Sequence, residues 1–245
     1  MGVILLFIVL HWYLSLSLQT LFLHRYASHG YYNLSNFGEK LGHILTWLTQ
    51  GSSYLSPYAY GILHKAHHSF SDTERDPHSP HHHKNPLGMM LETAKVYSSV
   101  ESGTHEFCRT FKANVKQWKA FDSFASSWIS RLSFAFLYFA VYYVYAPHWS
   151  AFLLLPIHFL MGPIHGFIVN WFGHWAGYRN IDTPDESRNT LPVDLFLMGE
   201  LYQNNHHAAP NSPCFAKKWW EIDLGYIVLS LLLPRKREQI ITKEM

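Results

Sequence analysis

Three long stretches of this chain are almost free of charge, and they limit its possible folds more than any other feature. Val3 to Leu23 holds no Lys, Arg, Asp or Glu and is about long enough to cross a hydrocarbon core of roughly 30 Å. It lacks the basic leading segment and small-residue cleavage site of a secretory signal, so it reads as a retained anchor. Trp128 to Ala146 and Ala151 to Phe172 are two further candidate spans. Only Pro147, His148, Trp149 and Ser150 separate them, which predicts a helical hairpin. Pro156, Gly162 and Pro163 interrupt the third span, as a membrane helix tolerates when its neighbours re-satisfy the backbone. Leu41 to Leu63 is also apolar but is broken by Thr46, Thr49, Gln50, Gly51, Ser52, Ser53 and Pro57. An interfacial or re-entrant helix is expected there.

Charge placement supports this topology. Ten Lys/Arg lie between Arg25 and Lys119, eight between Arg179 and Lys243, and Arg131 alone sits near the start of the second span. With three crossings, eighteen of the nineteen fall on one side. The positive-inside rule makes that side cytosolic and puts the N-terminus outside. The expected architecture is therefore a single all-α domain over 1–245. It has about three multi-pass membrane spans, an interfacial or re-entrant helix and a cytosolic helical cap. Nineteen basic against seventeen acidic residues leave no surplus for nucleic acid. Two cysteines cannot make a disulfide framework, a cysteine zinc module or an iron–sulfur cluster.

Histidine is the compositional anomaly, at 18 residues. Eight of them form four groups at predicted membrane ends on the cytosolic side: His24 and His29; His64, His67 and His68; His174; His206 and His207. Positions i, i+3 and i+4 share a helical face, so His64, His67 and His68 are expected to converge on one point. Gln203, His206 and His207 have the same spacing, and Asn170 and His174 are four apart. His24 and His29, five apart, lie roughly 140° apart on a straight helix, so one helix could serve two metals. Eight imidazoles exceed the three or four ligands of a zinc site and suit two iron ions with open positions, although imidazole also binds zinc, copper and nickel. HKAHH lacks the glutamate of HExxH, which argues against a zinc protease. His81, His82 and His83 are expected in a solvated loop. His158 and His165, with His11 as partner, leave a haem-binding protein as an alternative of another class.

HRYASH, HKAHHSFSDTERDPH, NWFGH and QNNHHAAP, in this order, resemble the histidine boxes of membrane fatty acyl desaturases, the acyl-CoA Δ9 branch in particular. The likeness runs from about residue 20 to 235. It includes Asp76-Pro77-His78 after the second box and Gly199-Glu200 before the third. The resemblance implies a di-iron oxidoreductase that uses O₂ and two electrons to remove two hydrogens from adjacent methylenes of an acyl chain. By it His24, His29, His64, His67, His68, His174, His206 and His207 are iron ligands, and Asn170 is one through water. Gln203 stands where the acyl-CoA branch commonly has histidine, so its role toward iron is open. Ile62-Leu63 replaces an Arg-Asp pair of that branch, which leaves the carrier open between acyl-CoA and acyl lipid. The family commonly has four spans, and this chain is expected to start at the second.

Neutral imidazoles add no charge, so carboxylates are expected behind the ligands. Asp72, Glu74, Asp76 and Glu200 are the candidates. Phe134, Tyr138, Trp171 and Trp175 are candidate walls of an apolar substrate channel, and Trp219 and Trp220 read as an interfacial anchor on an amphipathic helix. With no CxxCH, CxxC pair or Rossmann fingerprint, electrons are expected from a separate ferredoxin, rubredoxin or cytochrome b5. The expected setting is a membrane, a bacterial cytoplasmic one. A hydroxylase with the same site, and a non-catalytic haem or metal-binding membrane protein, remain the alternatives.

Overall fold

A computed structural model describes residues 1–233. Arg235, Lys236, Arg237 and Lys243, half of the C-terminal basic set, lie outside the described residues. Among those described the chain is helical, its only β pairings being the isolated bridges of Asn189 with Tyr178 and Tyr202.

α1 (Gly2–Leu18) runs on without interruption into a π-helix, Gln19–Ser28. Together they make one 27-residue helix long and apolar enough to cross a membrane. Val3, Leu6, Leu10 and Leu14 are exposed along it, an aliphatic face that water does not favour. α2 (Asn36–Gln50) is capped by Ser35 and ends at Gly51, whose φ of +55° suits glycine. α3 (Pro57–Phe70) begins with Ser56 as cap and proline in its first turn. The segment expected to be interfacial or re-entrant is thus two helices. α2 runs back along α1, Phe22 filling the space over Gly42 where a Cβ would stand 2.3 Å from the ring. α3 then returns to the same end.

α4 (Pro86–Glu101), α5 (Phe107–Thr110) and α6 (Lys119–Ala125) lead to α7 (Trp128–Tyr145). α6 and α7 meet at 45°. The third expected span is not one helix. A 3-10 turn over Trp149–Leu154 leads to α8 (Leu155–Phe159), and α9 (Met161–Trp175) follows at 68° after a break at Leu160. Pro163 has no N–H to bond the Phe159 carbonyl and continue the α8 ladder, and a new helix starts with it in the first turn. Three crossings are possible only if each bent pair is one span. The break also separates His158 from His165, which do not share one helix. α10 (Gln203–Ala208) and α11 (Leu224–Leu232) complete the described fold.

Lys217 to Trp220 is not helical. Glu221 accepts from the Lys217 and Lys218 amides and donates its own N–H to the Lys218 carbonyl, closing a turn that leaves Trp219 exposed.

Candidate metal centre

The eight imidazoles meet in two adjacent groups, His24, His29, His64, His68 and His206 in one and His67, His174 and His207 in the other. Within each group one nitrogen per ring lies within 4.8 Å of all the others. This partition overturns three expectations from spacing. His64, His67 and His68 do not share a target. At about 100° per residue, His67 and His68 diverge by about 100°, so α3 sends two rings to the first group and one to the second. α10 divides His206 from His207 in the same way.

His24 and His29 do the reverse. The π-helix bonds His29 N–H to the His24 carbonyl at 3.2 Å. A turn there takes in more residues, so positions five apart return to nearly one face. Both rings enter the five-imidazole group instead of serving two points. α3 packs closely enough on this segment that a Cβ at Gly61 would stand 2.7 Å from the Ala27 carbonyl oxygen.

Carboxylates orient the rings from behind. Asp76 accepts from His67 Nδ1 at 2.9 Å, Asp72 from His174 Nδ1 at 2.8 Å, and Asp185 from His207 Nδ1 at 2.6 Å. The outward Nε2 atoms of these three rings are buried with no protein partner. In the five-imidazole group only His24 has such a partner, Glu200 at 2.5 Å. Glu200 also takes Thr20 and Arg25, and the fully buried Arg25 forks onto both oxygens of Asp223 at 2.8 Å. Glu74, a candidate for the same role, is exposed in the turn and does not reach the site.

Burial and neighbouring imidazoles push His64, His68 and His206 well below the ordinary histidine value. His207 is lowered to about 4 by burial, with Asp185 opposing. At His67 burial also lowers the value, but Asp76 outweighs it and the net shift is upward. Asp72 falls to about 2 although burial opposes this, because the His174 hydrogen bond favours the anion. Asp76 and Asp185 fall below the carboxylate range against the same opposition, through His67 and His207.

A cavity of about 310 Å³ opens beside the five-imidazole group. His24, His64, Asn170, Gln203 and Glu200 form one end, Leu55, Met89, Met90 and Phe167 continue it, and Arg131 and Glu101 stand among its walls. Phe134, Tyr138, Trp171 and Trp175 do not line it; Tyr54, Tyr60, Tyr97 and Phe167 are its aromatic walls. Gln203 donates its amide to the Glu200 carbonyl at 2.7 Å and presses on Gly173, where a Cβ would lie 2.5 Å from its Cγ.

Sequence reading missed Asp185, whose irregular loop carries no periodic signal, and Arg25, which was counted only among the basic residues of the cytosolic side and is fully buried. His81 and His82 are exposed, but they are not simply solvated. They donate to the His174 and Asp72 carbonyls at 2.9 and 2.8 Å, pinning their loop over the three-imidazole group.

The fold and this site define a helical, membrane-associated protein with two buried histidine groups, each able to hold a metal ion. The chain belongs to the fatty acid desaturase family, whose profile matches residues 1–226. It resembles the Delta-9 desaturase-like 5 protein of Arabidopsis thaliana, 29% identical over 85% of this chain and 66% of that one. It is similar also to the hex-5-enoyl-[acyl-carrier protein] acetylenase of Moorena producens, 28% identical over 89% and 70%. The sn-1 stearoyl-lipid 9-desaturase of Synechocystis is 28% identical over 87% and 63%. The chain spans between about half and 70% of the length of the curated relatives it matches.

Proposed function

We propose that this protein is a membrane di-iron fatty acyl desaturase, removing two hydrogens from adjacent methylenes of a lipid-linked or thioester-linked acyl chain with O₂ and an external electron donor. The observation that carries this reading is the partition of eight imidazoles into two adjacent groups, the larger of which lines a mostly apolar cavity through His24 and His64. The residues fit metal. Four Nε2 pairs of the first group lie 2.8–3.0 Å apart, and two nitrogens about 2.1 Å from one ion at right angles are about 3.0 Å apart. The orphaned Nε2 atoms of His67, His174 and His207 ask for a ligand in the same way. Asn170 and Gln203 stand beside the groups where they can hold water, and Asp72, Asp76, Asp185 and Glu200 offset the charge.

An unactivated methylene offers neither an acidic proton nor an electrophile, so side-chain acid–base chemistry cannot start the reaction. Two irons, held by the five-imidazole group and by His67, His174 and His207, would supply the oxygen activation. The chain's own residues position the methylenes and exclude water. Neutral His64, His68 and His206 keep their lone pairs for metal, and the carboxylates fix which ring nitrogen faces inward. Ile62 and Leu63 are buried in the α3 core and offer no charge to a CoA head group, which favours another carrier. The printed names of the relatives cover lipid, acyl-carrier-protein and CoA substrates. The basic residues around the site favour the cytosolic side of a multi-pass membrane protein. The donor would be a separate ferredoxin, rubredoxin or cytochrome b5.

Expression in a host of defined lipid composition, with fatty acids profiled by mass spectrometry, tests the reading. New double bonds that vanish in His67→Ala are expected. An alcohol product would make it a hydroxylase. No change in lipids from a protein carrying two irons would end the enzymatic reading.

A further inference from the structure

The cavity beside the five-imidazole group is not closed on all sides. Its inner walls, among them His24, Leu63, Glu200 and Gln203, are buried. Its outer walls come from α4 and α9, where Ala94 and Ser98 are exposed and Pro163, Gly166 and Phe167 are half-buried. A Cβ built at Gly166 would meet nothing within 4 Å, so the space beside that residue is open. The cavity therefore opens sideways, as a slot between two helices.

The wall residues of α4 run from Met89 to Glu101, about 18 Å at roughly 1.5 Å per residue. Thr93 marks the end near the histidines. Its hydroxyl lies 3.3 Å from His78 Nδ1, and the His78 ring is 5.5 Å from that of His67. Tyr97 marks the way out, its hydroxyl accepting from the Ser56 amide at 2.7 Å, where α3 begins. Beyond it stand Ser98, Glu101 and Arg131.

What lies outside the slot is aliphatic. Leu87, Leu91, Ala94 and Ser98 share one exposed face of α4, while Glu92 pairs with Lys95 on the next face. Leu160, just before α9, is exposed as well. A helix with exposed leucines on one side and an ion pair on another suits a membrane interface, and the lips of the slot then face lipid. The walls offer little to a phosphate-bearing carrier. Arg131, the one Lys or Arg among the described wall residues, already donates through all three of its nitrogens to the Ser126, Ser52 and Tyr54 carbonyls. Glu101 adds a negative charge to the same wall.

We propose that the α4–α9 slot is a side entrance from the bilayer, and that the chain it admits is still esterified to a membrane glycerolipid. The inference rests on the desaturase reading and narrows its substrate to the lipid-linked class. A lipid with two chains and a polar head cannot be threaded end-on through a closed tunnel. A slot open along its side takes in one chain while the head group and the second chain stay in the membrane. Gly166 and Ala94 supply no chemistry; they set access by being small.

Photolabelling of the full chain in lipid nanodiscs tests the entrance without turnover. The probe is a phosphatidylcholine with a diazirine midway along one acyl chain, compared with the CoA thioester of the same acid. The lipid probe is expected to label the buried wall residues Leu63 or Met89, read by mass spectrometry. That labelling should be lost in Gly166→Trp and in Ala94→Trp, which fill the slot from opposite lips. Val9→Trp, on the exposed face of α1, should label as the wild type does. With two irons loaded and content verified, double-bond formation in membrane lipids is expected to fall about tenfold or more in both slot variants. Undiminished labelling in both variants overturns the entrance. Labelling of Leu63 or Met89 by the CoA thioester and not by the lipid overturns the substrate class. An iron-loaded wild type that forms no double bond removes the desaturase reading, and the substrate role with it, even where labelling still depends on the slot.

Discussion

Asp185 shows how one side chain can govern a ligand twenty-two positions away. It accepts from His207 Nδ1 and is itself fixed by Ser187 and Thr183, so the ring has one tautomer and one orientation. Each imidazole of the smaller group has such a carboxylate, while the larger group has one for five rings, and that one is shared with Arg25. Asp185→Asn is therefore expected to lower metal affinity at the smaller group about 10–100-fold. Metal analysis after mild chelation should show content moving from two ions per chain toward one. Glu186→Gln, an exposed neighbour, should keep both, and equal content in the two variants would mean that Asp185 does not orient the ring. The eight imidazoles, Asp72, Asp76 and Glu200 were legible in the sequence because periodic spacing or adjacency marked them. Asp185 was not, because an irregular loop has no period from which facing can be inferred.

Helix geometry, more than helix position, decided how the ligands were shared out. A regular helix predicts His24 and His29 on different sides, and a π-helix brings them together. That change of ladder cannot be seen in QTLFLHRYAS, since it depends on what α3 presses against it. Gly61→Ala tests this contact. The added methyl would meet the Ala27 backbone, which cannot turn aside as a side chain can. A loss of about 1–3 kcal/mol is expected, read as a lower unfolding midpoint, together with weaker metal retention by the five-imidazole group. A variant with full stability and full metal content would show that the close approach is not needed. The same limit explains the other departures. Pro163 was visible as an interruption, but whether it kinks one helix or starts a second depends on the space beside it. The 217–220 turn was hidden because Glu221 closes it with backbone contacts that side-chain patterning does not encode.

At the scale of the whole molecule, burying so many neutral imidazoles makes stability depend on pH. The folded values of His64, His68, His206 and His207 lie below the ordinary one near 6.5. Below about pH 6.5 the unfolded chain therefore binds protons that the folded chain refuses, and stability falls as pH falls. The slope is at most about 1.4 kcal/mol per pH unit for each imidazole. The depressed Asp72, Asp76 and Asp185 add a second loss only below about pH 4, where the unfolded carboxylates titrate. Unfolding in detergent at about pH 7.5, 6.5 and 5.5 should show a falling midpoint. The fall should be steeper with metal bound, because protons also compete for the ligands. A flat profile would mean that the rings are hydrated and free to charge. The sequence by itself determined that the chain is helical, where its apolar stretches lie and which side chains could carry the chemistry, because these follow from local composition and spacing. Only the tertiary structure decided which imidazoles share a group, where the helices break, and that Asp185 and Arg25 belong to the site, because those outcomes depend on contacts between segments far apart in the chain.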